Sequence, residues 1–494
     1  MIDSHLSVVD TVDTIRAKLL LNCCWAVGRN VLLLGPTAAS KTMLINEFMS
    51  RSDPKKTVLK AAVGSASTSA DSLQTLIESN VVHRQGYVYG ATDRKRLAIF
   101  VDDLNLPNNR TTELLRQVSD DSFLVTTKAP FEWHQIENIF LMAAATSKEG
   151  STDIGCIDHR IMRHFTLISV NPPKDEELKS VMSSILNQVM HASQGQLLEM
   201  ELHNGLVAAA CNVIKEVCQV LKPAPCPGRT HYLFSVRDLT SVFLSLRRLD
   251  DDSRSDPVRV VSFWRHEMVR TIGDCISRAN DSYWFNGLVD KEVGTRWPEV
   301  ATKLEDYFVT IPEFAGTLEK KETSKECLTV VGSINQVRDN VSEYLTQYME
   351  DVNNRDFDVA LTDCVLEQVV RMHRLLTKPE SCRLLLLAQH GFQIVELCRL
   401  SLHIAGASLA EVDTSNVDSF FADMRTLVRV SGLEQTNRAV ILKAAELRSP
   451  KMWDLLNSIL VSSFHHQLLS NDEMDALLQV NYFFSLGNST QKRK

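Results

Sequence analysis

Residues 31–49 read VLLLGPTAASKTMLINEFM: a short apolar run, a tight loop and an amphipathic helical pattern. The loop approaches the phosphate-binding pattern G-x-x-x-x-G-K-[ST], in which backbone N–H groups converge at the positive end of a helix. Gly35, Lys41 and Thr42 fit that pattern, but Ser40 stands at the second glycine position. The stretch therefore predicts a phosphate-binding loop with one departure.

Each residue of the loop that fits the pattern has a predicted part in nucleotide binding. Lys41 supplies charge to the outer phosphates, Thr42 offers a hydroxyl to Mg²⁺, and Gly35 suits the tight turn. At position 40 the backbone adopts a conformation that is costly with a Cβ, so Ser40 should cost on the order of 1 kcal/mol. Weakened rather than abolished binding of ATP or ADP with Mg²⁺ is expected. The predicted loop comprises Gly35, Pro36, Thr37, Ala38, Ala39, Ser40, Lys41 and Thr42.

A second motif, LAIFVDDLNLP, occupies residues 97–107. An apolar strand ending in Asp102 suits a second carboxylate beside Mg²⁺ at the carboxyl edge of a parallel sheet, where ligands bind. Many ATPases follow that Asp with a Glu that activates water. Asp103 is one methylene shorter, which makes it a weak catalytic candidate and predicts slow or absent hydrolysis. The alternative is a merely turn-like loop with two exposed aspartates at a strand end.

The first 170 residues alternate between apolar runs and helical patterns. Predicted strands cover residues 29–34, 97–101, 139–144 and 165–170, with a helix at 111–118 among the segments between them. This βαβ rhythm predicts an α/β fold with a parallel sheet flanked by helices. After residues 171–173 the pattern becomes helical, with apolar faces at 178–189 and 207–221 and a further helix beginning near Ser235.

A third region repeats the strand–loop–helix layout without the motif residues. CRLLLLAQHG at 382–391 predicts a buried strand running into a glycine, and RAVILKAAEL at 438–447 predicts a second strand. The predicted domains are an α/β subdomain at 1–172, a helical lid at 173–300, a mainly helical connector at 301–378 and a degenerate, truncated α/β region at 379–494.

Composition narrows the class of protein. With 494 residues, 44% hydrophobic and 23% charged, the chain has the make-up of a soluble protein of several domains. A net charge of −8 gives no support to a nucleic-acid surface, and no apolar stretch is long enough to span a membrane. The eleven cysteines form no C-x-x-C pair, so buried free thiols in a reducing compartment are expected.

Six stretches resemble the third AAA+ module of dynein heavy chains, in that family's order, across about residues 9 to 290. They are VDTVDTIRAKLLL (9–21), FVDDLNLP (100–107), ELLRQV (113–118), RIMRHFTLISVNPP (160–173), HYLFSVRDLTSVF (231–243) and FWRHEMVRTIGD (263–274). The third region resembles the start of the family's fourth AAA+ module. The resemblance implies an AAA+ module with a helical lid, followed by a second, degenerate one.

The resemblance also implies roles for further residues. Thr146 matches a polar sensor, Arg160 and Arg163 match arginines that face a neighbouring module's nucleotide, and Arg237 matches the lid arginine that touches the module's own phosphates. Each has an alternative. Thr146 also fits an ordinary strand-end hydroxyl, Arg160 and Arg163 fit helix-end cations, and Arg237 fits a surface ion-pair network with the adjoining acid.

Departures from the family weaken parts of this assignment. TSKEGSTDIGCID at 146–158 lacks the Pro/Gly-rich character usual there. In the fourth-module region Ile394 stands where the phosphate lysine belongs, and Ala444 stands at the metal-side acid. Because isoleucine cannot compensate phosphate charge, the second site is predicted to be inactive and to serve as scaffold.

The resemblance implies an ATP-binding AAA+ module pair that contributes to microtubule-based movement as a regulatory or structural part of a motor ring. The alternative is a nucleotide-independent structural or interaction module. Implied partners are other AAA+ modules and the dynein intermediate and light intermediate chains, with microtubules contacted only indirectly. The expected location is the cytoplasm or cytoskeleton, the axoneme of a cilium or flagellum included.

Stalk heptads of a full dynein heavy chain are not visible in the sequence. The chain is therefore expected to be a fragment or short isoform of a larger dynein-like protein, or a reduced relative. Motor activity by this chain alone is not expected.

Overall fold

A computed structural model gives the placement of most of the chain. It describes residues 9–120, 122–125, 132–147, 157–192, 200–224, 226, 228–249, 254, 256–304, 308–309, 329–330, 334–350, 359–377, 383–387, 393–434, 436–462, 468–469, 473–474 and 476. Most of the unusual segment 146–158, much of the 301–378 connector and the C-terminal QKRK lie outside the described residues.

Two compact units make up the chain, one of Met1–Pro172 with Ala410–Lys494 and one of Pro173–Leu409. The break at Pro172 coincides with the predicted end of the α/β subdomain. The grouping of 410–494 with the first unit differs from the predicted division at 379, and the predicted domain limits remain predictions.

A five-stranded parallel sheet forms the centre of the first unit, in the order β2-β5-β8-β1-β9. The predicted α/β fold with a parallel sheet flanked by helices is thereby confirmed. The four strands predicted from apolar runs are β1, β5, β8 and β9, and the edge strand β2 is an addition. The bounds are β1 Val31–Gly35, β2 Thr57–Val63, β5 Arg96–Asp102, β8 Ile139–Thr146 and β9 Thr166–Ser169.

Burial on both faces explains the apolar strands. In β5, Ile99 and Val101 belong to one core cluster while Ala98 and Phe100 belong to the other, as the period of two along a strand requires. Helices cover both faces, because a parallel sheet is stable when both its sides are buried. The helices of this part are α1 Val12–Val27, α2 Lys41–Arg51, α3 Ala70–Glu78, α4 Asn109–Asp120 and α5 His159–Met162.

Local capping fixes several of these helix ends. Thr11 and Thr14 form a capping box at the start of α1, and Gly28 ends that helix in the left-handed conformation that glycine adopts without penalty.

A separate four-stranded sheet has the order β3-β4-β7-β6. Its strands are β3 Val82–Gln85, β4 Val88–Gly90, β6 Phe123–Val125 and β7 Trp133–Glu137.

Helices dominate the second unit, as the apolar faces predict. Glu267 and Arg374 form a buried ion pair within it, with 0% and 5% of their side chains exposed. The helices are α6 Asp175–Ala192, α7 Met200–Val220, α8 Val236–Ser245, α9 Pro257–Thr271, α10 Ala279–Arg296, α11 Pro298–Ala301, α12 Ile334–Glu350, α13 Asp363–Leu376 and α14 Ile394–Ala405. The strands β10 Phe308–Val309 and β11 Thr329–Val330 pair antiparallel.

The strand predicted in CRLLLLAQHG is wrong for the part that the structure describes. Residues 383–387 form no strand, and Leu385 and Leu387 are each 84% exposed. RAVILKAAEL contains a strand of only three residues. The remaining elements are β12 Ser408–Ala410, α15 Val417–Glu434, β13 Arg438–Val440 and α16 Pro450–Ser462.

Two global expectations bear on the class of protein. Within the described stretches, every helix is too short or too polar to cross a bilayer. All cysteines that the structure describes are free, as expected, but of these only Cys211 and Cys398 are fully buried.

Candidate nucleotide-binding site

Three of the predicted site residues end neighbouring strands at one edge of the sheet. Gly35 ends β1, Asp102 ends β5 and Thr146 ends β8, and β8 lies between the other two. Gly35 and Thr146 are directly paired in register. The Ser147 N–H donates to the Gly35 carbonyl at 3.0 Å, which holds the two strand ends together. This is the carboxyl edge at which parallel α/β sheets bind ligands.

The loop from Gly35 to Ser40 is built from unusual backbone conformations. Ala38 and Ser40 have φ angles of 60° and 64°, in the left-handed region. A Cβ added at Gly35 would lie 2.1 Å from the Val170 carbonyl oxygen, so only glycine fits there. The structure thus shows the conformation at position 40 that the pattern assigns to glycine, adopted here by serine.

Ser40 should carry a measurable conformational cost. We expect Ser40→Gly to raise the free energy of unfolding by up to about 1 kcal/mol, because glycine adopts φ of 64° without steric penalty. Chemical denaturation of both proteins measures the difference. Ser50→Gly is the matched control: Ser50 lies inside α2, where glycine should lower stability by about 0.5–1 kcal/mol. Equal losses for both variants would contradict the strained-serine interpretation.

Lys41 opens α2 and folds its side chain back over the loop. Its Nζ donates to the carbonyl oxygens of Gly35 at 2.8 Å and Pro36 at 2.7 Å. Burial lowers the pKa of the Lys41 ammonium from its ordinary value, while the negative charges of Asp103 and Asp102 oppose that shift. The ammonium is therefore held at the positive end of a helix, close to two carboxylates.

Thr42 and Asp102 meet across the sheet edge. The Thr42 hydroxyl donates to Asp102 Oδ2 at 2.9 Å, and Asp102 Oδ1 lies 3.2 Å away. Asp102 is buried, and burial first, then the charge of Asp103, raises the pKa of its carboxyl group. The hydrogen bond from Thr42 acts in the opposite direction because it stabilises the ionised form.

The pairing of Thr42 with Asp102 fits a magnesium ion held through a nucleotide. Among the described residues no group of three or more His, Cys, Asp or Glu side chains forms a metal cage. Mg²⁺ in nucleotide sites needs no such cage, because phosphate oxygens, waters and one or two protein oxygens complete its shell. The Thr42 hydroxyl and the Asp102 carboxylate are oxygen ligands of the kind that Mg²⁺ prefers, and they lie next to each other.

Asp103 lies next to this pair but on a strained turn. Its φ is 51°, and its N–H donates to Asp102 Oδ1 at 3.1 Å. The Gly64 N–H donates to the Asp102 carbonyl at 2.7 Å, so the backbone of the loop after β2 packs directly on the two aspartates. The aspartates are therefore not two freely exposed strand-end acids: Asp102 is buried and Asp103 half-buried.

Thr146 is positioned by a residue that the sequence argument did not single out. The Thr146 N–H donates to Asn105 Oδ1 at 3.1 Å, and the Leu104 N–H donates to the Ala144 carbonyl at 2.9 Å. Asn105 thus ties the Asp102–Asp103 turn to the end of β8. A polar residue inside the otherwise apolar LNLP was the available indication.

Arg160 and Arg163 lie at α5, beside the acidic side chains of α4. Arg160 is 4.0 Å from Glu113 and Arg163 is 3.3 Å from Asp120, and both guanidinium groups are mostly exposed, at 64% and 60%. Exposed ion pairs of this length contribute little to stability. The geometry is compatible with the role of facing another module and with the helix-end alternative alike.

Arg237 belongs to the second unit, at the start of α8. Ser235 and Asp238 form a capping box there, and the Arg237 side chain is exposed. Within the described residues its guanidinium makes no ion pair within 4.0 Å. Burial raises the pKa of the adjoining Asp238 and the charge of Arg237 opposes that shift, so the surface-network alternative stays open. Its predicted contact with the module's own phosphates remains a prediction.

The second predicted site has no phosphate or metal chemistry at its key positions. Ile394 is the first residue of α14, and Ala444 begins a one-turn 3-10 helix, Ala444–Glu446. Neither side chain offers a charge or an oxygen. The interpretation of this region as scaffold stays a prediction consistent with that chemistry.

Five parallel strands in this order, with a lysine at the strand–loop–helix junction, define a P-loop protein of the AAA type. Residues 2–173 match the family model described as "P-loop containing dynein motor region", and residues 357–482 match "P-loop containing dynein motor region D4". Together the two matches cover more than half of the chain, and it belongs to the dynein heavy chain family.

Relatives from several organisms agree with this assignment. The chain is 26% identical over 492 residues to "Dynein axonemal heavy chain 5" of Mus musculus, covering 95% of this chain and 10% of the relative. It is 25% identical over 483 residues to "Dynein axonemal heavy chain 6" of Homo sapiens, covering 95% and 11%. It is 25% identical over 481 residues to "Dynein-1-beta heavy chain, flagellar inner arm I1 complex" of Chlamydomonas reinhardtii, covering 95% and 10%. The chain thus spans about a tenth of the length of these relatives.

Proposed function

We propose that this chain binds ATP or ADP with Mg²⁺ in its first module and acts as a regulatory or structural part of a dynein-type motor ring. The observation that carries the proposal is the contact between Thr42 and Asp102, 2.9 Å apart, beside the Lys41 ammonium at the start of α2. These three groups are the hydroxyl, the carboxylate and the cation that a phosphate loop needs.

Each residue has a separate part in binding. The N–H groups at the start of α2 and the Lys41 ammonium hold phosphate oxygens, and Lys41 exchanges the Gly35 and Pro36 carbonyls for the ligand. Thr42 and Asp102 would hold Mg²⁺, which neutralises phosphate charge when bound. Thr146, tied to Asn105, lies beside Gly35 at the same edge.

Negligible turnover is part of the proposal. A catalytic base must reach the attacking water, and Asp103 is both shorter than glutamate and held on a turn at φ 51°. Phosphoryl transfer also gains from an arginine supplied by a neighbour. Arg160 and Arg163 are proposed to serve another module's site, and Arg237 to serve the module's own phosphates through the lid.

The assembly is proposed from the family. Other AAA+ modules of a dynein ring are the direct partners, the intermediate and light intermediate chains are further partners, and microtubules are contacted only indirectly. A cytoskeletal or ciliary location, the axoneme included, is proposed on the basis of the axonemal relatives. The contribution to microtubule-based movement is through the ring and not through this chain as a motor.

Thermal unfolding with and without Mg²⁺-ADP or Mg²⁺-ATP tests the binding. At a ligand concentration 100 times the Kd, the wild-type chain should gain about 2.7 kcal/mol of stability. The gain should fall when EDTA removes the Mg²⁺, and phosphate release from ATP should stay at background. An unchanged melting temperature at millimolar nucleotide, with and without Mg²⁺, would contradict the proposed nucleotide binding.

The pH dependence of nucleotide affinity tests whether Asp102 holds the Mg²⁺. Because burial and the Asp103 charge raise the pKa of Asp102, its carboxylate takes up a proton at a higher pH than a free aspartate does. We expect the Mg²⁺-dependent part of the affinity to weaken as the pH falls, and to begin weakening at a higher pH than the titration of a free aspartate would give. Asp102→Asn should bind more weakly, with only the pH dependence of the nucleotide itself. Parallel profiles for both proteins would show that Asp102 does not hold the metal.

One observation favours a second candidate, a nucleotide-independent structural or interaction module. The Lys41 ammonium is already satisfied by two carbonyls of its own loop, so the loop is internally complete. The same thermal experiment separates the two functions. A flat response to nucleotide supports the second candidate, and a Mg²⁺-dependent shift excludes it.

A further inference from the structure

The loop after β2 connects the nucleotide site to the C-terminal part of the first unit. The connection runs through Asp454 of α16, whose carboxylate is buried with 7% of the residue exposed. Asp454 Oδ1 accepts hydrogen bonds from the Thr68 hydroxyl at 2.6 Å and the Ser65 hydroxyl at 2.9 Å. α16 packs against β2 at this point. A buried carboxylate with two hydroxyl donors is a specific contact, because burying it unpaired would be costly.

The same loop is held on its other side by the site itself. The Gly64 N–H donates to the Asp102 carbonyl at 2.7 Å. A Cβ at Gly64 would lie 2.6 Å from the Asp103 carbonyl oxygen and 2.9 Å from that of Asp102, so the two backbones touch. The Thr111 hydroxyl of α4 donates to the Thr68 carbonyl at 2.9 Å, which fixes the loop from a third direction.

Hydroxyl geometry makes Asp454 hard to replace. The Ser65 N–H donates to the Thr68 Oγ1 at 2.9 Å, and the two hydroxyl oxygens are 2.9 Å apart. Each hydroxyl has one hydrogen, so Thr68 cannot donate to Asp454 and Ser65 at once. When Thr68 donates to the carboxylate, its Oγ1 accepts from the Ser65 N–H, and the Ser65 hydroxyl can donate to Asp454 or to Thr68. The carboxylate therefore sets the direction of the Thr68 hydroxyl, which in turn holds the start of the loop.

We propose that Asp454, with Ser65 and Thr68, forms a latch through which α16 positions the Asp102–Asp103 turn for Mg²⁺-nucleotide. Asp454 is a positioning residue, since it acts on the site through the loop that carries Ser65 and Thr68. The latch rests on the proposed function, since it concerns the affinity of that same site. Through the latch, the C-terminal part of the first unit, which has no phosphate-binding residues of its own, responds to nucleotide binding at the site beside β2.

The full-length chain is used for the test, with labelled ADP and Mg²⁺ titrated by fluorescence. Asp454→Asn removes the charge and leaves a neutral amide oxygen, which accepts hydrogen bonds from the two hydroxyls less strongly than a carboxylate does. It should weaken binding about fivefold or more, and Thr68→Val, which removes one hydroxyl, should do the same. The double variant should bind no more weakly than the weaker-binding single variant, because both substitutions act on the same contact. Asp418→Asn, an exposed acid in the first turn of α15, should leave the affinity unchanged.

Amide hydrogen exchange distinguishes the latch from a purely structural contact, because a purely structural contact would not make exchange in α16 depend on nucleotide. In the wild type, Mg²⁺-ADP should slow amide exchange in residues 450–462, and in Asp454→Asn this slowing should disappear. Circular dichroism verifies that each variant is folded, and Thr68→Val replaces Asp454→Asn if the latter is not.

The outcomes separate the two proposals. If the wild type binds Mg²⁺-ADP while both latch variants bind equally well and exchange in 450–462 is unaffected, the latch is overturned and the proposed function stands. If the wild type binds no nucleotide, both are overturned.

Discussion

Glu267→Ala should lower the free energy of unfolding by about 3–5 kcal/mol, since it leaves the Arg374 guanidinium buried without its partner. Glu267 is 0% exposed, and Arg374 Nε donates to its Oε1 at 3.1 Å while a second nitrogen donates to Oε2. Both ends of this pair lie within the second unit, on α9 and α13. Chemical denaturation followed by circular dichroism measures the loss.

The matched control is Glu367→Ala on α13, the helix that carries Arg374. Glu367 pairs with Arg371 at 3.3 Å but is 56% exposed, so its removal should cost only about 0.3–0.5 kcal/mol. Glu267→Leu combined with Arg374→Met should recover most of the stability, because an apolar pair requires no desolvation of charge. Similar losses for the two single variants would contradict the burial argument.

The same ion pair predicts the acid behaviour of this unit. Burial, the largest single influence, acts to raise the pKa of Glu267. The Arg374 charge and the hydrogen bonds from His266 and Arg374 together outweigh it and hold that pKa well below its usual range. Since the folded-state pKa is depressed, the stabilisation is present above the unfolded-state value of about 4.3 and is lost only as the pH falls below it. Burial lowers the pKa of the neighbouring His266, and the charge of Glu267 and its hydrogen bond with His266 oppose that shift.

Lys41→Ala should weaken Mg²⁺-nucleotide binding by about 10- to 100-fold, the equivalent of one charge-assisted contact of 1.5–3 kcal/mol. At a concentration that gives the wild type about 2.7 kcal/mol, a 100-fold weaker variant gains only about 0.4 kcal/mol. Each protein is compared with itself, because Lys41 also bonds to the Gly35 and Pro36 carbonyls and its loss changes the unliganded stability.

Lys55→Ala is the control for charge alone. Lys55 is exposed in the same unit, so Lys55→Ala also removes one positive charge but does not alter the loop. Its nucleotide-induced shift should equal that of the wild type. An equal shift in Lys41→Ala as well would remove the basis for a phosphate role of Lys41.

The residue pattern was sufficient to predict those parts of the site that lie within one strand–loop–helix unit. The strand at Val31, the helix beginning at Lys41 and the strand ending at Asp102 are each specified by contiguous residues. The left-handed conformation of Ser40 was expected because the pattern places glycine there. Local sequence carries these features since apolar periodicity and backbone preference act over a few residues.

The wrong strand prediction at 382–391 and the missed strand β2 have a different origin. Leu385 and Leu387 belong to a run that reads as a buried strand, yet both are exposed. A strand is stabilised by hydrogen bonds to neighbouring strands and by burial, and neither is a property of the run itself. Edge strand β2 was missed for the converse reason, since its partial burial and central Lys60 give it no continuous apolar run.

By itself, then, the sequence determined that this protein has a phosphate loop with a serine in a glycine's place, an aspartate pair after a buried strand, and a dynein-type order of motifs. Only the tertiary structure decided that Thr42 meets Asp102, that Asn105 holds Thr146, and that Asp454 reaches Thr68. Those contacts join residues far apart in the chain. Their existence depends on which faces of the helices and strands pack together, and no local pattern records that.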